Sequence, residues 1–268
     1  MKRNQPVVPV PVWLFPFRWV LAVIRLFLFL FLVSLYYFPM RLVHLFVPLS
    51  SKTRANVRRR CLHVCVRMMG FLYRVEDERP QPLPGDKGYL YICNHRSWSD
   101  PLIALGLLDA VPVSKAEVKK LPIIGAGMSF TGIVYLERMN KESHKAVREE
   151  IANALENGTS VLIFPEGTTF TTAETGDFKV GSFEQALRAG AGIIPMVIEY
   201  KDRSANYWDV RSMWQQFVAQ CGKLYNIAYV WIGKPINGEG QSALEIKNEV
   251  HRLINRKVQE IHAQWDGR

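Results

Sequence analysis

The stretch YLYICNHRSWSDP, residues 89–101, decides the fold. Tyr89 to Cys93 is a short uncharged run of the length of a buried strand. After a polar turn, Asp100-Pro101 opens a helix, with proline in the first turn and Asp100 as the expected N-cap. Strand, polar loop, helix is the repeating unit of an α/β sheet, whose functional loops lie just past the strand ends. A second such unit follows: Ser160 to Phe164 reads as a strand and runs into Pro165-Glu166-Gly167-Thr168-Thr169.

Outward from these two segments the same alternation continues. Further strands are expected over Ile133 to Leu136, Ile193 to Tyr200 and Tyr225 to Ile232. Helices are expected over Pro101 to Leu108, Ser143 to Asn157 with Gly158 closing it, Phe183 to Ala189, and Ala243 to Trp265. Pro80 to Gly88, rich in proline and glycine, marks the start of this unit. The expectation is an α/β domain over residues 76–268, with a mixed or largely parallel sheet flanked by helices. Gly125-Ala126-Gly127 and Gly190-Ala191-Gly192 read as turns.

Residues 1–75 differ in character. They hold 12 Lys or Arg and no acid, whereas the remaining 193 residues carry 22 bases and 24 acids, so the net charge of +10 belongs to the N-terminal quarter. These bases are interleaved with Trp, Phe, Leu and Val, which a solvated nucleic-acid arm would not need, so nucleic acid is not expected as a partner. Trp19 to Phe38 is 20 residues broken by a single charge, Arg25, long enough as a helix to reach across a hydrocarbon core. Leu42 to Val47, between Pro39 and Pro48, reads as a second apolar piece. Arg54 to Arg74 reads as a basic amphipathic helix suited to an anionic bilayer surface.

The segment is therefore a hydrophobic helical membrane motif. A cleaved signal is disfavoured by the length of the apolar core and the lack of a small-residue cleavage site. A single span and a monotopic hairpin both fit. More bases follow the apolar core than precede it, which puts residues 76–268 on the cytoplasmic side. Cys61, Cys65, Cys93 and Cys221 form no C-x-x-C pair and read as reduced structural thiols.

The two strand-end loops carry the chemistry. His95 and Asp100 can form a base and its orienting carboxylate, since a neutral imidazole suits proton abstraction near pH 7 and a carboxylate on its other nitrogen fixes the tautomer. The chain has no G-x-S-x-G elbow, Walker loop, dinucleotide fingerprint or H-E-x-x-H, and no metal-ligand spacing. His44, His63, His144, His251 and His262 read as structural or surface residues.

Asn94-His95…Asp100 resembles the first motif of the glycerolipid acyltransferases, and Phe164-Pro165-Glu166-Gly167-Thr168 is similar to their F-P-E-G-T motif. Gly132 to Arg138 looks like their G-x-x-F-I-x-R motif, with Tyr135 and Leu136 as conservative departures. Phe178-Lys179, Ile194-Pro195-Met196 and Lys115 ahead of Pro122 also fit, in family order. The resemblance implies direct transfer of a fatty acyl group from the thioester of acyl-CoA or acyl carrier protein to a lipid hydroxyl, without a cofactor. It implies His95 as the base, Asp100 as its orienter, and Lys115, Arg138, Glu166, Gly167, Thr168 and Lys179 as the residues that hold the acceptor headgroup. The first acceptor implied is 1-acyl-glycerol-3-phosphate, giving phosphatidic acid. Thr169 departs from the Arg that commonly follows F-P-E-G-T in phosphatidic-acid-forming members, which keeps open a lysolipid with a larger headgroup or a lyso-aminolipid. From another class, a catalytically silent membrane scaffold with the same fold also remains open.

Overall fold

The computed structural model of the chain describes residues 15–121, 123–136 and 141–267. Seven strands form one sheet: β1 (Phe71–Asp77), β2 (Leu90–Cys93), β3 (Val111–Lys115), β4 (Val134–Leu136), β5 (Val161–Ile163), β6 (Ile193–Tyr200) and β7 (Asn226–Ile232). Their order is β1-β7-β6-β2-β5-β3-β4. Every neighbouring pair is parallel except β6 and β7. The mixed, largely parallel sheet read from the sequence is the sheet observed.

Both faces of this sheet are covered, which is why its central strands read as continuous apolar runs rather than alternating ones. The two-residue period divides them between two cores: Tyr91 and Cys93 face one cluster, Leu90 and Ile92 the other. The first core is roofed by α1 (Phe15–Phe46), α2 (Ser51–Met68), α3 (Asp100–Leu107) and α8 (Met213–Cys221). The second is roofed by α5 (Lys141–Glu156), α6 (Gly181–Arg188) and α9 (Ala243–Asp266). In α9, Ile246, Val250, Ile254, Val258 and Ile261 recur at helical spacing and are all buried, and a Ser242–Glu245 capping box starts the helix. Burial of each such side chain contributes about 1.5–3 kcal/mol. Short helices α4 (Ile124–Thr131) and α7 (Arg203–Asn206), with a 3-10 segment over Ala116–Lys120, complete the described elements.

Several expectations are corrected. The apolar N-terminal stretch is one helix of 32 residues, running through Pro39 rather than breaking there. The basic helix ends at Met68: Gly70 takes a φ of 89°, and the chain turns into β1, so Phe71, Leu72 and Arg74 lie on a strand. The expected boundary at residue 75 falls inside β1. Gly125-Ala126-Gly127 is not a turn but part of α4. Its glycine is needed for close packing, because a Cβ at Gly125 would sit 2.3 Å from the Lys119 carbonyl oxygen. The turn at Gly190, with φ 61°, is as expected.

The basic helix is also not uniformly a surface element. Arg58 points inward and donates to the backbone carbonyls of Ala110, Thr131 and Gly132, while Arg54 donates to that of Phe130 at 2.8 Å. Arg25, the lone charge in the apolar stretch, is spent likewise. It donates to the carbonyls of Cys221 (2.9 Å), the last residue of α8, and of Lys223 and Leu224 (2.8 Å) in the turn that follows. Thus α1 is clasped to α8 as well as packed on α2 and α4. Its other face is bare: Phe27, Phe31, Leu35, Phe38, Leu42 and Phe46 are exposed. Among the described residues it is the one helix long and apolar enough to cross a membrane.

Candidate active site

β2 ends at Cys93, and Asn94 prolongs its pairing with β6 by side chain. Its Oδ1 accepts from the Ile198 N–H at 2.8 Å, and its Nδ2 donates to the Ile198 carbonyl at 3.1 Å. The next residue, His95, is thereby carried over the C-terminal edge of the sheet. Its ring lies against Phe164, at the end of β5, with centroids 4.4 Å apart. His95 Nδ1 is 2.9 Å from Asp100 Oδ2.

Asp100 is completely buried. Its Oδ2 also accepts the backbone N–H groups of Arg96 and Ser97, each at 2.7 Å, and its Oδ1 accepts the Tyr200 hydroxyl at 2.6 Å. The N-cap position falls on Ser99, whose side chain makes no capping bond; Asp100, expected there, is the first residue of α3, and its carboxylate turns back into the loop. A carboxylate so surrounded is fixed in place and satisfied as an acceptor. The Tyr200 hydroxyl is further bonded to Ser99 Oγ at 2.8 Å, Ser99 Oγ to Ser97 Oγ at 2.9 Å, and Gln220 Nε2 on α8 donates to Ser97 Oγ at 2.6 Å.

Glu166 lies beneath this loop. Its Oε1 accepts the His95 N–H at 2.8 Å and its Oε2 accepts the Gly176 N–H at 2.9 Å. Burial pushes its carboxyl up to about 7, against the pull of those two N–H groups and of Arg96. Both oxygens thus brace backbone rather than open to solvent. Gly167 adopts a φ of 70°, and a Cβ there would come within 2.8 Å of Lys179 Nζ, so the expected Gly167 and Lys179 are side by side. Thr168 is exposed beside them. Thr169 donates its hydroxyl to the Trp208 carbonyl at 3.1 Å. Lys115 ends β3, at the same sheet edge as His95, because β3, β5 and β2 run parallel. Arg138 lies outside the described residues.

A second layer was invisible in the sequence. Arg96, fully buried, bonds Glu199 through Nε at 2.7 Å, and its remaining N–H groups reach the carbonyls of Phe170 (3.2 Å) and Thr172 (2.9 Å). Glu199 also accepts from Asn94, from the Tyr207 hydroxyl and from His262 at 3.2 Å. Burial alone would raise Glu199, but Arg96, His262 and Tyr207 outweigh it and hold it below the usual carboxylate range. Arg96 and His262 lie 103 and 63 residues from Glu199 and leave no local signal. Among the described residues no cluster of His, Cys, Asp and Glu suits a metal ion.

An imidazole held through Nδ1 by a buried, backbone-bonded carboxylate leaves Nε2 to take a proton, and it stands where α/β folds place their chemistry. Residues 74–199 match the acyltransferase family. More particularly, the chain is 34% identical over 128 residues to the chloroplastic 1-acyl-sn-glycerol-3-phosphate acyltransferase LPAT1 of Arabidopsis thaliana, covering 47% of this chain and 36% of that protein. It is 30% identical over 186 residues to the lyso-ornithine lipid O-acyltransferase of Rhizobium meliloti, covering 69% and 61%. The chain thus spans about a third of the first relative and under two thirds of the second. The crystal structure of the 1-acyl-sn-glycerophosphate (LPA) acyltransferase PlsC from Thermotoga maritima shares the fold, with a TM-score of 0.67 at 21% identity, over 92% of this chain and 98% of that one.

Proposed function

We propose that the protein is a membrane-bound O-acyltransferase that moves a fatty acyl group from an acyl thioester to the free hydroxyl of a lysophospholipid. The observation that carries this reading is the His95–Asp100 pair, 2.9 Å apart over the sheet edge. His95 Nε2 takes the hydroxyl proton as the oxygen attacks the thioester carbonyl. A C–O bond forms, the C–S bond breaks, and the proton passes to the leaving thiolate. No free cysteine is a rival nucleophile, since Cys61, Cys65, Cys93 and Cys221 are all buried, so transfer runs in a ternary complex without an acyl-enzyme.

The bare apolar face of α1 supports membrane attachment, with residues 76–268 facing the cytoplasm in accord with the positive-inside rule. An apolar cavity beside α3, lined by Phe29, Val33, Met40, Leu102, Leu105 and Met128, offers space for a hydrocarbon chain. Lys115, Arg138, Gly167, Thr168 and Lys179 are the headgroup residues of this reading, while Glu166, expected among them, braces the loop from beneath through the His95 and Gly176 N–H groups. The acyl donor is a CoA or carrier-protein thioester.

The first acceptor is lysophosphatidic acid, giving phosphatidic acid. A second reading, a lyso-aminolipid, is favoured by Thr169, whose hydroxyl is turned to the Trp208 carbonyl and cannot grip a phosphate as an Arg fork would. The test is thioester consumption by purified protein with each acceptor, in wild type and Thr169→Arg. The first reading expects lysophosphatidic acid to be the faster acceptor in wild type. A wild type that prefers a lyso-aminolipid, with Thr169→Arg moving toward lysophosphatidic acid, overturns it in favour of the second. Thiol release with neither lysolipid overturns both.

A further inference from the structure

The outer face of α1 is not the end of the exposed apolar surface. Trp19 on α1 meets Trp214 on α8 edge to face, with centroids 5.2 Å apart, and Trp214 stacks on Phe217 at 5.6 Å. Phe217 in turn lies 5.5 Å from Trp98, which sits between His95 and Asp100 in the sequence. A row of rings therefore runs from the outer helix to the candidate catalytic loop. Beside its outer end, Val210 is 79% and Met213 59% exposed. At the far end of α8, next to the Arg25 clasp, Leu224 and Tyr225 are exposed as well.

Trp19 and Trp214 touch and are each 36% exposed, so a layer that covers one borders the other. Whatever covers Trp19 reaches Trp214, and from there Val210 and Met213. Charge agrees with a lipid surface: in residues 204–225 Asp209 is the one acid, and it is paired with Arg211 at 2.8 Å. Two adjoining tryptophans at the rim of an apolar face also suit the water–lipid boundary, where an amphipathic ring keeps one end wet.

We infer that residues 210–214 are a second membrane contact, continuous with α1, that presses the His95 loop's side of the domain against the leaflet holding the lipid acceptor. A single helix fixes depth but leaves the domain free to roll about the helix axis; a second contact beside it removes that freedom. The inference rests on the membrane reading of α1, and the test separates the two.

Nitroxide labels are placed by Val210→Cys and Met213→Cys, with Phe31→Cys on α1 and exposed Glu239→Cys as lipid and water references. The four native cysteines are buried and do not compete for the reagent. The full chain is reconstituted in phosphatidylcholine–phosphatidylglycerol vesicles, and collision of each label with oxygen, which partitions into lipid, is compared with a water-borne nickel chelate. The expected result is oxygen-dominated collision at 31, 210 and 213, and nickel-dominated collision at 239. Oxygen dominance at 31 with nickel dominance at 210 and 213 overturns the second contact alone. Nickel dominance at 31 as well overturns the membrane reading beneath it. Labels at 210 and 213 shielded from both reagents would show a protein partner there, which also overturns the inference.

Discussion

Asp100 shows how far a single residue's setting can be read. Its pairing with His95 was legible from spacing and strand-end position. Its third support, Tyr200, lies 100 residues away and was not. A hydrogen bond to an ionised partner contributes about 1.5–3 kcal/mol. Tyr200→Phe is therefore expected to lower kcat about ten- to a hundredfold, with KM for both substrates unchanged, because the tyrosine touches Asp100 and not the lipid. Steady-state kinetics would check this; an unchanged kcat contradicts it. Glu166 makes the complementary case. The motif announced that it matters, but only the folded arrangement shows that both oxygens accept backbone N–H groups. Glutamine can accept on one side only, so Glu166→Gln strands the N–H of His95 or of Gly176. The expected cost is about 1–3 kcal/mol in urea denaturation, together with loss of turnover.

Strand and helix positions in the catalytic half follow from apolar runs bounded by turn residues, and they were legible. The elements missed were those whose pattern is short or mixed. β1 continues the spacing of α2 without an apolar break, β3 contains Pro112 and Lys115, and α8 carries Gln216 and Gln220 on its buried side. α2 was read as a basic face, yet Arg58 and Arg60 on it have opposite fates. Arg58 is buried against three carbonyls, and burial lowers its pKa to about 10, still charged at neutral pH. Arg60 is exposed. Arg58→Ala should destabilise the fold by about 1–3 kcal/mol for each buried carbonyl left without its donor, and leave vesicle binding unchanged in the fraction that folds. Arg60→Ala should change stability by less than about 0.5 kcal/mol and weaken binding to anionic vesicles by about 1 kcal/mol. Thermal melts and vesicle sedimentation over a salt series separate the two; equal stability losses would contradict the assignment.

In the whole molecule, the N-terminal quarter and the α/β unit are packed together rather than tethered. The composition shift at Glu76 suggested a separate anchor, but α1 keeps one apolar face exposed and packs the other on the domain. Ala22, Phe29 and Met40 on the inner face of α1 are buried against the domain. Deleting residues 1–50 should therefore destabilise and aggregate the remainder, not merely release it from membranes; a soluble truncated protein with an unchanged melting temperature would contradict this. The family resemblance and the mixed, largely parallel character of the sheet were legible because motifs and apolar runs are local, whereas the seating of α1 on α8 depends on Arg25 meeting carbonyls almost 200 residues away. All of this structure converges on one imidazole. The most direct test is turnover of the full-length His95→Ala protein in bilayers containing lysolipid and acyl thioester, with folding verified by circular dichroism. The account predicts a fall of about 10²- to 10⁴-fold with the melting temperature preserved; more than a tenth of wild-type turnover in folded His95→Ala would contradict it.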